Sequence, residues 1–162
     1  MDSQRLLDRF MPCLLAGQRQ QCRDVLGDAM RDGMAADHLY RNMIWQAMEN
    51  VEQLYNEDKI NLATEHMAIR INRLLADQLQ AHLPRGAPNG KRILITCANG
   101  ETEELGAQMC SDLFESDGWD VYFVGGGIPN DEILSLVGNI RPDILLIFGS
   151  QPAGVPEVRK LI

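Results

Sequence analysis

The fold of this chain is decided by the stretch Ile93-Leu-Ile-Thr-Cys-Ala-Asn-Gly-Glu-Thr-Glu-Glu-Leu-Gly106, which has the pattern of an apolar strand, a polar turn and the start of a helix. In a strand–helix unit such a turn lies at the carboxyl edge of a parallel sheet, and ligands of doubly wound folds bind in the crevice outside that edge. The polar turn after Cys97 is therefore the first candidate for a binding site.

The residues that follow this stretch repeat its pattern. Two further runs are short and rich in β-forming residues, Trp119–Val124 and Asp143–Phe148, and helical patterns at Glu103–Asp117 and Asp131–Ile140 separate the strands. Apolar strands that alternate with helices predict a parallel sheet covered on both faces. A doubly wound domain usually has about five or more strands. Since three are present, either the sheet is truncated at the C-terminus or another chain completes it, and we expect truncation.

The first half of the chain has a different periodicity. Apolar residues in 1–83 recur at helical spacing and predict four helices. The first is broken at Ala16-Gly17, and the second ends before Gly33. The third opens at Ala36 or Asp37, the latter as its N-cap, and the fourth spans roughly Asn61 to His82. Helices of this length with short connections predict a small bundle.

The predicted fold is therefore an α/β chain with an N-terminal four-helix bundle followed by a flavodoxin-like (Rossmann-like) parallel sheet. Its parts are a bundle at 1–83, a Pro- and Gly-containing linker at 84–91 and a partial α/β domain at 92–162.

Composition limits the classes of function. The formal net charge is −8, and no run of basic residues is present, which argues against direct binding to nucleic acid. No secretory signal is visible, and no apolar run approaches the roughly 18 residues that span a bilayer. Four cysteines without Cys-x-x-Cys spacing suggest reduced thiols. We therefore expect a cytoplasmic protein that binds neither nucleic acid nor membrane.

Catalytic motifs are not evident in the sequence. It contains no P-loop and no His-rich metal motif, and neither Cys97 nor Ser150 has a base adjacent in sequence. We therefore predict no intrinsic catalysis and no metal-ligating cluster.

Two motifs are similar to those of a known family. Glu101-Thr102-Glu103-Glu104-Leu105-Gly106 resembles the signature loop of cobalamin-binding domains, Asp/Glu-x-His-x-x-Gly, except that Glu103 stands where the cobalt-binding histidine belongs. In the bundle, Tyr55 precedes Glu65-His66 by nine intervening residues, which resembles the Trp-x9-Glu-His motif of light-sensing cobalamin-dependent repressors. The bundle and α/β order also resembles methionine-synthase-like modules.

This resemblance implies a site and a cofactor. The family places a helical cap over the corrin, so Tyr55, Glu65 and His66 are expected to face the cofactor from the bundle. From the strand-end loops the resemblance implies Glu101, Thr102, Glu103, Gly106, Gly125, Gly126 and Ser150. The implied cofactor is adenosylcobalamin or methylcobalamin, without a histidine ligand from the usual loop; the alternatives are no cofactor or heme.

Each part of this site also has a structural interpretation. Glu65-His66 fits an ordinary surface pair, and the carboxylates at 101, 103 and 104 fit the N-terminus of the next helix, where the helix dipole favours negative charge. Gly125-Gly126-Gly127 fits a strand–helix turn, with Asn130 or Asp131 as the cap of the following helix.

The resemblance implies a sensory or regulatory module that works with a protein partner or as a homo-oligomer. The alternatives are a corrinoid methyl carrier for a methyltransferase and a cofactor-free protein-interaction domain. The glutamate at position 103 argues against the carrier, because it replaces the histidine that ligates cobalt.

Overall fold

The computed structural model describes residues 3–98, 100–101, 104–150 and 158–159. The chain divides into two compact units, Met1–Leu83 and Pro84–Ile162. None of the described helices is long and apolar enough to cross a bilayer.

The first unit is entirely helical in its described part. Its elements are α1 (Ser3–Leu15), α2 (Arg19–Arg31), α3 (Ala36–Leu39), a π-helical segment (Tyr40–Trp45), α4 (Gln46–Asn56) and α5 (Leu62–Gln80). Because α3, the π-helical segment and α4 run on without a break, the unit has four helical segments. This confirms the predicted four-helix bundle.

The core of the bundle follows the predicted periodicity. Its largest fully buried side chains include Leu6, Phe10, Leu14, Leu39, Tyr40, Met43, Ile44, Ile71, Leu75 and Leu79. Tyr40 needs a partner for its hydroxyl inside this core. It donates to the carbonyl of Ala76 on α5 at 3.1 Å.

Two details of the third helical segment differ from the prediction. Its N-cap is Ala35, and Asp37 lies in the first turn of α3, so the prediction of Asp37 as the cap was wrong. The π-helical segment has no signal in the hydrophobic pattern, because one inserted residue still leaves apolar side chains on the buried face.

The second unit contains a parallel sheet. Its elements are β1 (Arg92–Cys97), α6 (Leu105–Ser116), β2 (Asp120–Gly125), α7 (Asn130–Ile140) and β3 (Ile144–Phe148), and the strand order is β2-β1-β3. Both strand pairs are parallel. The predicted Rossmann-like parallel arrangement is confirmed.

The central strand supplies the core of this unit. Ile93, Ile95 and Cys97 are buried with Ala107 of α6, and Phe114, Trp119, Val121, Leu146 and Phe148 pack around them. The rings of Phe114 and Trp119 meet edge to face, with centroids 5.4 Å apart. This cluster fixes α6 against the sheet and so sets where the loop between β1 and α6 emerges.

Residues 84–91 are held on the second unit. The amide of Gly86 donates to the carbonyl of Ser116 at 2.7 Å, and the amide of Asn89 donates to the carbonyl of Gly118 at 2.9 Å. The hydroxyl of Ser116 donates to the carbonyl of Pro84 at 2.6 Å. A stretch with the composition of a linker is therefore ordered along the turn between α6 and β2.

Candidate functional site

The candidate site in the second unit is built from the loops that follow the three strands. Each loop begins at the carboxyl end of its strand, so the parallel arrangement places all three at one edge of the sheet. Thr102, Glu103 and the residues from 151 to 157 lie outside the described residues.

Glu101 connects the loop after β1 to the loop after β3. One oxygen of its carboxylate, Oε2, accepts hydrogen bonds from the backbone amide of Ser150 at 2.6 Å and from the hydroxyl of Ser150 at 2.8 Å. Hydrogen bonds to a charged acceptor are shorter and stronger than those between neutral groups. The structure thus brings together two residues that were predicted for the site from separate motifs.

Glu104 connects the loop after β1 to the loop after β2. Its Oε1 accepts a hydrogen bond from the backbone amide of Gly126 at 2.6 Å. A Cβ on Gly125, whose φ is +79°, would lie 2.9 Å from this same oxygen. The glycines are required here because the carboxylate approaches the backbone more closely than a side chain would allow.

Glu104 was not among the predicted site residues. It is the N-cap residue of α6, but its side chain does not cap the helix. A carboxylate before a helix can interact favourably with the helix dipole. The sequence does not distinguish this role from a hydrogen bond to a neighbouring loop. The sequence feature that could have indicated Glu104 is the group of three acidic residues that precedes α6.

Thr96 was also not predicted. Its hydroxyl is buried and donates to the carbonyl of Gly125 at 2.9 Å, where the register between β1 and β2 shifts after Ile95. A buried carbonyl freed by such a shift needs a donor. Thr96 supplies it and so fixes the start of the glycine loop.

The loop after β2 ends in a shallow depression of about 360 Å³ lined by Gly127, Ile128, Pro129 and Asn130. The N-cap of α7 is Pro129, and the helix begins at Asn130 without a side-chain cap. The prediction that Asn130 or Asp131 caps this helix was therefore wrong.

Gly106 lies in the first turn of α6 and is buried. The ring of Phe148, at the end of β3, occupies the space that a Cβ at this position would take. The matching glycine of the signature loop thus serves the contact between helix and strand.

The candidate residues of the bundle lie around the connection between α4 and α5. Tyr55 is in the last turn of α4 with 36% of its surface exposed. The side chain of Asn61 accepts a hydrogen bond from the amide of Thr64 at 2.9 Å and so fixes the start of α5. Glu65 and His66 follow at once, Glu65 half-buried and His66 exposed.

Large apolar side chains are exposed around the same connection. Leu62 is 52% exposed and Met67 is 40% exposed. They follow Tyr55 in sequence, at the start of the helix that this connection leads into. We call Tyr55, Leu62 and Met67 the apolar end of the bundle.

Metal ligands do not converge in the described part of the chain, where no group of three or more His, Cys, Asp or Glu side chains could hold an ion.

Comparison with known sequences gives one match. Residues 6–80 match the sequence model of a protein family described as "B12 binding domain". The match lies within the helical unit and includes Tyr55, Glu65 and His66. No curated protein sequence matches the chain.

Solved structures with the same fold include three whose descriptions name a corrinoid or cobalamin. The monomethylamine corrinoid protein of Methanosarcina barkeri gives a TM-score of 0.83 at 13% identity, covering 99% of this chain and 76% of that chain. A cobalamin-binding protein of Desulfitobacterium hafniense DCB-2 gives 0.53 at 18% identity, covering 99% and 75%. The methanol:cobalamin methyltransferase complex of Methanosarcina barkeri gives 0.53 at 18% identity, covering 97% and 61%. At these identities the similarity establishes a shared fold.

Proposed function

We propose that the chain binds a corrinoid and carries it for a methyltransferase, because residues 6–80 match the family described as "B12 binding domain". The family match is the observation that carries the proposal. The choice of a carrier is supported by two of the neighbours in fold, which are described as a monomethylamine corrinoid protein and a methanol:cobalamin methyltransferase complex.

The bundle has side chains that suit a corrin. A corrin presents a broad, flat face, and an exposed tyrosine offers a flat apolar ring with a polar tip. Tyr55, Leu62 and Met67 leave such a surface open at the apolar end of the bundle. We assign Tyr55 to stacking on the cofactor and Glu65 and His66 to polar contact beside it.

The strand-end loops of the second unit also carry groups that suit a ligand. Ser150 and Glu104 supply polar groups, and Gly125 and Gly126 place the loop after β2 beside Glu104. A bound corrinoid would supply the methyl-transfer chemistry through its cobalt, while these residues hold and orient it.

The lower cobalt ligand is proposed from the sequence. Position 103 is a glutamate, which has no imidazole nitrogen, so bound cobalamin keeps its own base, water or no ligand on that face. Paramagnetic resonance of the reduced cobalt with nitrogen-15-labelled protein tests this. Coupling to a protein nitrogen would contradict it.

Binding is tested by titrating the protein with aquocobalamin and recording the quenching of its tryptophan fluorescence. Tyr55→Ala should weaken binding about ten-fold, the equivalent of about 1.4 kcal/mol. Tyr122→Ala is the matched control, since Tyr122 is also 36% exposed but lies on β2. If the two variants bind aquocobalamin with equal affinity, Tyr55 does not contact the cofactor.

A sensory or regulatory role is the second candidate. It is supported by the similarity of Tyr55, Glu65 and His66 to the motif of light-sensing repressors and by the absence of a histidine at 103. Light scattering of the adenosylcobalamin-loaded protein, in the dark and after illumination, separates the two roles. A sensor changes its oligomeric state with light, whereas a carrier does not.

A further inference from the structure

The boundary between β1 and β3 lies where the chain changes direction across the sheet. With the order β2-β1-β3, the connection from β1 leads to one side of the central strand, and the connection from β2 crosses to the other. In open parallel sheets the crevice at such a switch point is where ligands bind. The switch point of this sheet lies between the loops that follow β1 and β3.

Those two loops run close together where they leave the sheet. The amide of Ala98 donates to the carbonyl of Phe148 at 2.6 Å. A Cβ on Gly149 would lie 3.3 Å from the Cβ of Ala98. The small residues at these positions let the two loops run side by side.

Further along the two loops, Glu101 and Ser150 form a second connection between them. Glu101 Oε2 receives both donors of Ser150, the backbone amide and the hydroxyl. While this pair is formed, Ser150 has no donor left for a ligand, because its amide and hydroxyl each carry one hydrogen. Its hydroxyl oxygen is left as an acceptor.

We propose that Glu101 is an internal competitor for the ligand: its carboxylate occupies the two-donor site of Ser150, and an anionic acceptor group of the ligand displaces it. The ligand group that displaces Glu101 is a phosphate oxygen or a comparable anionic oxygen, because a single carboxylate oxygen of Glu101 already accepts from both donors of Ser150. The choice of cobalamin as the ligand that brings this group, on its nucleotide tail, rests on the proposed function.

If Glu101 competes with the ligand, its removal should raise the affinity for the ligand, whereas removal of a residue that binds the ligand lowers it. Glu101→Ala should tighten the binding of cobalamin about ten-fold, because the ligand no longer displaces a carboxylate. Glu101→Gln should lie between the wild type and Glu101→Ala, since the amide oxygen still accepts but carries no charge. Cobinamide lacks the nucleotide tail, and its affinity should not change.

The matched control is Glu115→Ala, which removes the same charge from an exposed position on α6, away from the strand-end loops. It should leave both affinities unchanged. Weaker or equal cobalamin binding by Glu101→Ala would overturn the proposal, because Glu101 would then support the site or play no part in it. An equal gain for cobinamide would also overturn it.

A second measurement is independent of corrinoid binding. In proton–nitrogen spectra, inorganic phosphate should shift the amide resonance of Ser150 saturably in Glu101→Ala and should leave it unmoved in the wild type. If neither cobalamin nor cobinamide binds, the proposed function fails and the phosphate titration decides this proposal. A Ser150 amide that does not respond in the variant would refute the competition.

Discussion

The ring of Phe148, at the end of β3, lies in the space that a Cβ on Gly106 would occupy in the first turn of α6. This contact holds the start of the helix against the sheet just beyond the loop that carries Glu101 and Glu104. The glycine is needed there because the aromatic ring and the helix backbone leave no room for a methyl group.

Gly106→Ala should lower the free energy of unfolding of the second unit by about 1–3 kcal/mol, the usual cost of inserting a methyl group into a packed contact. Urea denaturation followed by the fluorescence of Trp119, which packs in the same core, measures the change.

The control for this substitution is Gly138→Ala. Gly138 lies within α7, and a Cβ there would meet no atom within 4 Å. Alanine at this exposed helical position should stabilise the chain by up to about 1 kcal/mol. If both alanines were equally tolerated, the contact between Gly106 and Phe148 would not be as close as described.

Gly17 and Met67 form a second close pair, in the bundle. Gly17 has a φ of +69°, and the thioether of Met67 lies where its Cβ would be. Gly17→Ala should cost about 1 kcal/mol for the left-handed backbone, and the flexible end of Met67 should move aside. Gly33 has a φ of +84° but no neighbour within 4 Å, so Gly33→Ala should cost a similar amount. A shift of the Met67 methyl resonance is expected for Gly17→Ala alone, and its absence would disprove the contact.

Glu104 should control the loop after β2. Glu104→Ala leaves the amide of Gly126 without its acceptor, so hydrogen exchange at that amide should quicken about ten-fold, while Glu104→Gln should restore most of the protection because it keeps an acceptor. Glu132→Ala, an exposed change in the first turn of α7, is the control. Unchanged exchange in Glu104→Ala would show that the hydrogen bond is not formed in solution.

The order of elements could be predicted from the sequence because hydrophobic periodicity is a local property. The predicted strand at Arg92–Cys97 agrees with β1 in both bounds, and the other two strands agree within one residue. The π-helical segment at Tyr40–Trp45 could not be predicted, since it depends on how the helix packs.

The contacts of the candidate site were less accessible to prediction. Glu101 and Ser150 were found through motifs, but 49 positions separate them, and their hydrogen bonds depend on the strand order. Glu104 escaped because a carboxylate before a helix already has a local role. Asn130 and Asp131 were expected to cap α7, but Pro129 sets the start of that helix.

The buried thiol of Cys22 should make stability fall at high pH. Burial and the hydrogen bond with Cys13, whose Sγ lies 3.3 Å away, raise the pKa of Cys22 from 9.0 to about 12. The raised pKa means that the folded state holds this proton more tightly than the unfolded state. The contribution of the protonated Cys22 thiol to stability is therefore fully present below pH 9, and it is lost as the pH rises toward about 12.

Urea denaturation at pH 8 and at pH 10.5 measures this loss. Cys22→Ala should be less stable than the wild type at pH 8, because the side chain is fully buried, but should lose less on going to pH 10.5. The same loss in both proteins would assign the pH dependence to other groups.

Binding of a corrinoid is decided by gel filtration of the chain after incubation with hydroxocobalamin, with absorbance recorded at protein and corrinoid wavelengths. We expect corrinoid absorbance to elute with the protein at about one corrinoid per chain, and Tyr55→Ala to retain less than the matched control Tyr122→Ala. Corrinoid that elutes entirely at the small-molecule volume, while circular dichroism shows the chain to be folded, would contradict corrinoid binding.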